Sequence, residues 1–217
     1  MALLAPSILS ADFADLGNDI RKTVEAGADW IHVDVMDGLF VPSISFGMPV
    51  IKSIRKTTDK PFDVHLMINE PIRYIQEFKD SGADMLTVHV EACSDTMATL
   101  EEIKKAGMKP ALSIKPKTPV SEIEEYLPMV DMLLIMSVEP GFGGQKLIPE
   151  TVDKVRELRS IIDKKGLDVL IEIDGGINLE NVQEIVSAGV DIIVAGSAVF
   201  GGDTAGRTRE FVKLIKS

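Results

Sequence analysis

The chain has 217 residues, 45% of them apolar, and its 23 basic and 34 acidic side chains leave a formal net charge of −11. That charge, with no block of Lys or Arg, argues against nucleic acid or an anionic membrane surface as partner. It leaves any anionic ligand to be held locally, by backbone amides or a metal. No run approaches the roughly 20 apolar residues of a membrane span, residues 1–10 lack the basic start of a secretory leader, and Cys93 as sole cysteine permits no internal disulfide. The expectation is a soluble, cytoplasmic protein.

Short apolar runs recur along the chain. They predict eight strands, over Leu3–Ile8, Trp30–Val35, Phe62–Leu66, Met85–Val90, Lys109–Ile114, Met132–Val138, Val169–Ile173 and Ile192–Ala195. Amphipathic stretches between them predict helices over Asp15–Ala26, Pro71–Lys79, Asp95–Lys105, Glu150–Lys164 and Leu179–Ser187. A short mark precedes several strands: Ala26-Gly27-Ala28, Ser81-Gly82-Ala83, Ala106-Gly107-Met108 and Ala188-Gly189-Val190. Glycine there stops a helix, because it takes the left-handed conformation without a Cβ penalty. Nearly continuous Val/Ile/Leu strands joined by helices imply a parallel sheet covered on both faces. Eight such units without a linker predict residues 1–217 to be one (β/α)8 TIM-barrel domain.

In such a barrel the active site lies at the C-terminal ends of the strands. Strand 2 carries Trp30-Ile-His-Val-Asp-Val-Met-Asp-Gly38, in which His32, Asp34 and Met36 share one face opposite Ile31, Val33 and Val35. A His and an Asp on a buried face are costly unless something binds them. His32, Asp34, His65 and Asp174 fall at the ends of strands 2, 3 and 7, and form a candidate site for one divalent ion, Zn2+, Fe2+, Mn2+ or Co2+. Hydrogen-bonded rim residues without a metal are the plainer alternative. Strands 2 and 7 lie across the barrel, so Asp34 and Asp174 can approach a substrate from opposite faces. Two such bases suit inversion of a carbon acid.

Glycine runs follow the last three strands: Gly141-Phe142-Gly143-Gly144, Gly175-Gly176 and Gly196-Ser197. They form a candidate phosphate cradle of bare amides, set against ordinary turns that need a positive φ. Met36, Met67 and Met136 at strand ends read either as core filler or as an apolar lining that keeps the site dry. His89 and Glu91 read as supporting rather than ligating residues, and Cys93 receives no chemistry.

Several stretches together resemble the ribulose-phosphate 3-epimerase family. They are Ala5-Pro-Ser-Ile-Leu-Ser-Ala-Asp12, His32-Val-Asp-Val-Met-Asp-Gly38, Phe40-Val-Pro42, Asp63-Val-His-Leu-Met67, Met136-Ser-Val-Glu-Pro-Gly-Phe-Gly-Gly-Gln145, Asp174-Gly-Gly-Ile-Asn178 and Ala195-Gly-Ser-Ala-Val-Phe200. The resemblance implies interconversion of D-ribulose 5-phosphate and D-xylulose 5-phosphate through a cis-enediolate. It implies metal ligation by His32, Asp34, His65 and Asp174, with Asp34 taking the proton and Asp174 returning one. It further implies sugar contacts from Ser7 and His65, phosphate contacts from Gly143, Gly144, Gly176, Gly196 and Ser197, and a homo-oligomer. Ser43 and Leu112-Ser-Ile-Lys-Pro116 depart from the commoner family pattern. The alternatives are a 3-epimerase of a hexulose 6-phosphate such as D-allulose 6-phosphate, a lyase barrel using Lys115, and a phosphate-binding barrel without activity.

Overall fold

The computed structural model describes residues 1–216. Eight strands form one parallel sheet: β1 Leu3–Pro6, β2 Ile31–Met36, β3 Phe62–Met67, β4 Met85–His89, β5 Lys109–Ile114, β6 Met132–Met136, β7 Leu170–Asp174 and β8 Ile192–Ala195. From β2 to β8 each strand pairs with the next in sequence, and β1 pairs with β8, so the sheet curls into a barrel. The seam lies between β1 and β2, where a single bridge joins Ser7 to His32.

Backbone chemistry accounts for that seam. Leu3 and Ser7 donate their N–H groups to Asp191 and Ala195, on the β8 side. The intervening even residues face β2. Leu4 donates to the Asp29 side chain instead of to backbone, and Pro6 has no N–H to give. Asp29 and Trp30 complete the closure by both donating to the Leu4 carbonyl.

Strand register sets the interior in layers. β2 pairs β3 with His32 beside Asp63, Asp34 beside His65 and Met36 beside Met67, and β6 pairs β7 with Met136 beside Asp174. Ala5, Met85, Ala111, Met132, Ile192 and Val194 form a separate apolar cluster, of which Val194 reaches a cavity at the C-terminal ends of the strands. The outward faces, including Ile31, Val33 and Val35, join the large core under the helices. β2 thus has the two faces its alternation predicts.

The helices are α1 Leu16–Glu25, α2 Met48–Arg55, α3 Ile75–Ser81, α4 Thr96–Lys105, α5 Glu150–Lys165, α6 Val182–Ser187, α7 Ser197–Phe200 and α8 Thr204–Ile215. Gly27, Gly82, Gly107 and Gly189 all have positive φ, as helix stops should. At Gly82 a Cβ would also meet the Arg55 side chain at 2.6 Å.

Several segments differ from expectation, among them β6, which ends at Met136 rather than Val138, and α6, which starts at Val182 rather than Leu179. The first strand ends at Pro6 because Ser7 turns the chain, its Oγ accepting the Leu9 N–H to cap a short 3-10 turn over Ile8–Ser10. The segment from Pro71 opens as a 3-10 turn, Pro71–Tyr74, before α3. Between β5 and β6 two 3-10 turns, Val120–Glu122 and Leu127–Met129, stand where a full unit has a helix. Pro128 lies within the second, and a proline inside a helix would remove a hydrogen bond and clash with the preceding turn.

Candidate active site and metal centre

A cavity of about 300 Å³ opens at the C-terminal ends of the strands. Its lining includes Ser7, Asp34, Met36, Met67, Met136, Gly141, Phe142, Gly143, Gly144, Asp174, Gly175, Gly176, Gly196 and Ser197. Every substrate-contact candidate from the sequence except His65 therefore faces one space. His32 and His65 are fully buried beneath it.

Asp34 is the hub of the floor. Its Oδ1 lies 3.3 Å from His32 Nε2 and 3.1 Å from His65 Nδ1. Its Oδ2 accepts a 2.5 Å hydrogen bond from the Ser7 hydroxyl. His32, Asp34, His65 and Asp174 each bring one ligand atom within 4.8 Å of the others. The buried Nε2 of His32 has no hydrogen-bond partner. An orphaned imidazole nitrogen aimed into a ring of carboxylates fits a divalent cation, since nitrogen and oxygen donors of this kind suit borderline metals. The cluster is able to hold a metal ion.

The two carboxyl groups are driven apart electrostatically. Burial alone would raise the Asp34 carboxyl, yet the charge of His32 close by, then the hydrogen bond and charge of His65, hold it well below the usual carboxylate range. Asp174 is pushed up to about 6, first by burial and then by the Asp34 charge. His32, which burial would depress, is raised by the carboxylates of Asp34 and Asp63.

A layer below, the structure shows what the sequence reading missed. His32 Nδ1 is 2.6 Å from Asp63 Oδ2, and Asp63 Oδ1 accepts the Thr87 hydroxyl at 3.0 Å. Glu172 lies 3.7 Å from the same nitrogen, and neither of its oxygens has a hydrogen-bond partner. Burial and the Asp63 charge raise its carboxyl well above the ordinary range, which favours the neutral acid. His32, Asp63 and Glu172 also bring ligand atoms within 4.8 Å, but the 2.6 Å contact is a hydrogen bond that orients the imidazole. Strand parity carried the signal: Asp63 and Glu172 sit two residues before His65 and Asp174, on the same inward face.

At the rim, packing requires glycine at position 176. Gly176 has φ +67, and a Cβ there would fall 2.2 Å from the Leu147 backbone nitrogen. Gly144, φ +75, has nothing within 4 Å of the same point. Arg207 of α8 also lines the cavity, its guanidinium donating to the Ala198 carbonyl at 3.1 Å. It supplies a cation that the glycine runs lack, ten residues beyond the last of them. Asp37, in the loop after β2, accepts N–H groups from Leu39, Phe40 and Asn69 and ties two rim loops together. Cys93 is partly buried, and burial pushes its thiol up to about 11, which leaves it unreactive.

Residues 3–200 match the sequence model of the ribulose-phosphate 3 epimerase family. The chain belongs to this family. It is 50% identical over 202 residues to the ribulose-phosphate 3-epimerase of Bacillus subtilis, covering 93% of each chain. It is 52% identical over 200 residues to the enzyme of that name from Synechocystis, covering 91% of this chain and 87% of that one. Likeness at this level over most of the length makes the protein an epimerase. Among solved structures, the tryptophan synthase α-subunit of Pyrococcus furiosus superposes with a TM-score of 0.73 at 16% identity, over 99% of this chain and 97% of that one. That likeness shows the barrel fold alone. No helix among the described residues is long and apolar enough to cross a membrane.

Proposed function

We propose that the protein inverts C3 of D-ribulose 5-phosphate to give D-xylulose 5-phosphate, using one divalent cation, Zn2+, Fe2+, Mn2+ or Co2+, held by His32, Asp34, His65 and Asp174. One observation carries the reading: two carboxyl groups stand within 4.8 Å of each other, one held charged and the other raised to about 6. That is the division of labour a base and an acid require.

Asp34, with Ser7 fixing its second oxygen, takes the C3 proton. Asp174, protonated, delivers its own proton to the opposite side of the carbon that is then an enediolate. The roles exchange in the reverse direction. The cation supplies Lewis-acid stabilisation of the negative charge that develops on the sugar oxygens. Met36, Met67 and Met136 present apolar surface that excludes water from the reacting carbon. Backbone amides of Gly143, Gly144, Gly176, Gly196 and Ser197 take the phosphate, and Arg207 offsets its charge from the same wall. His65 acts from beneath as a ligand, which leaves direct contact with the sugar to the residues lining the cavity.

Asp174→Asn tests the proposal. It should cut turnover of ribulose 5-phosphate by about 10³–10⁴-fold while sugar phosphate still binds. Loss of binding with turnover per bound substrate intact would refute the assignment. A kcat/KM for D-allulose 6-phosphate above that for ribulose 5-phosphate would replace the pentulose with the hexulose.

A further inference from the structure

The two buried histidines beneath the cavity turn different nitrogens toward Asp34. His32 presents Nε2 and His65 presents Nδ1. A ligating nitrogen must carry a lone pair, so each ring has to hold its proton on the opposite side. For His32 the reason is direct, since its Nδ1 meets the Asp63 carboxylate at 2.6 Å. For His65 no carboxylate stands behind the ring. Its Nε2 meets another imidazole nitrogen, His89 Nε2, at 2.9 Å.

Two ring nitrogens facing each other at that distance need one proton between them, and proximity does not say whose. Glu91 decides it. His89 Nδ1 lies 3.2 Å from Glu91 Oε2, and an ionised carboxylate only accepts. His89 therefore carries its single proton on Nδ1 and turns a lone pair toward His65. His65 must then carry its proton on Nε2, which leaves Nδ1 free to ligate. Glu91 is itself anchored, because its Oε1 accepts the Lys115 N–H at 2.8 Å and the Thr118 hydroxyl. The Phe40 ring packs against His89 at a tilt of 46°, with centroids 4.9 Å apart.

We infer that His89 and Glu91 are positioning residues for the metal centre: a relay of two hydrogen bonds sets the tautomer in which His65 offers Nδ1. The inference rests on the proposed metal site. It predicts that the effect reaches the cation through one ring nitrogen, so it should be readable without any turnover.

With three histidines in the chain, long-range proton–nitrogen NMR of the zinc-loaded protein can resolve all the rings. The expected pattern is His32 protonated on Nδ1, His65 on Nε2 and His89 on Nδ1. His89→Phe and Glu91→Met should each weaken zinc binding by about 10- to 100-fold, read by competition with a chromophoric chelator. His89→Gln, whose side-chain carbonyl can accept from His65, should recover most of the loss. His65 protonated on Nδ1, or zinc affinity unchanged in both removing variants, would overturn the inference and leave the epimerase reading standing. A lowered melting temperature of the metal-free variants with unchanged affinity would also overturn it, since the relay would then serve folding alone. If the wild type binds no zinc and no other divalent ion, the metal site itself falls, and this inference with it.

Discussion

The floor and the rim of the cavity are built by different means. On the floor, Asp34, His32 and His65 act through side chains carried by adjacent strands, and nearly every polar atom is held by another buried group. At the rim, Gly176 and Gly196 let neighbouring groups approach closely by having no side chain, Gly144 takes a left-handed backbone, and all three line the ligand space. A floor residue fails by losing a charge or a lone pair. A rim residue fails by gaining a side chain, through collision at Gly176 and through backbone strain at Gly144. Changes to the floor should therefore appear in kcat and metal affinity, and changes to the rim in stability and KM.

The largest effect should come from Asp34→Asn, which keeps the shape and removes the charge. It should lower kcat by about 10⁴-fold and weaken metal binding in the same variant, measured by progress curves and chelator competition. A rim-like outcome, with KM raised and kcat unchanged, would break the comparison. Next is Gly176→Ala, where left-handed strain and a collision with the Leu147 backbone act together. It should cost about 3 kcal/mol or more in denaturant unfolding. Gly144→Ala bears only the strain, because its Cβ would enter open space. It should cost about 1 kcal/mol and raise KM for the sugar phosphate. Equal losses at the two glycines would remove the packing explanation.

The smallest effect concerns pH. In the metal-free protein burial holds His89 down to about 4, against 6.5 in the unfolded chain. Between those values the unfolded chain binds a proton that the folded one does not, so this contribution is complete above pH 6.5 and is lost as pH falls toward 4. Glu91, lowered to about 2 from 4.5 by hydrogen bonds that outweigh burial, adds a further loss below pH 4.5. Asp174, raised from 3.8 to about 6, acts in the opposite sense. It is common to wild type and His89→Gln, so the difference between their urea midpoints isolates the relay. That difference should shrink as pH falls from 6.5 to 4.

Much of this was legible in the residues, and the exceptions have physical reasons. The strands are buried on both faces, so their apolar runs stood out, and the alternation in β2 separated His32, Asp34 and Met36 from the core. α8 was not legible because two of its buried positions, Thr204 and Thr208, are hydroxyl residues that blur the apolar period, although Asp203 caps it by accepting the Gly206 N–H. α2 is eight residues long with Pro49 in its first turn, too short to show a period. Asp63 and Glu172 went unnoticed because a charge inside an apolar strand reads as an outward residue until the barrel fixes which parity faces in. Arg207 lies on a separate helix, and only the tertiary fold brings it to the glycine loops.

The central claim is that two carboxyl groups handle one carbon-bound hydrogen from opposite sides. It is tested most directly by converting ribulose 5-phosphate in D2O and stopping the reaction at low conversion. The account predicts that xylulose 5-phosphate carries deuterium at C3 while recovered ribulose 5-phosphate remains largely unlabelled, since the proton enters from a different group than the one that removed it. Equal deuterium in product and recovered substrate would point to a single shared base, and product without deuterium would exclude exchange with solvent altogether; either result contradicts it.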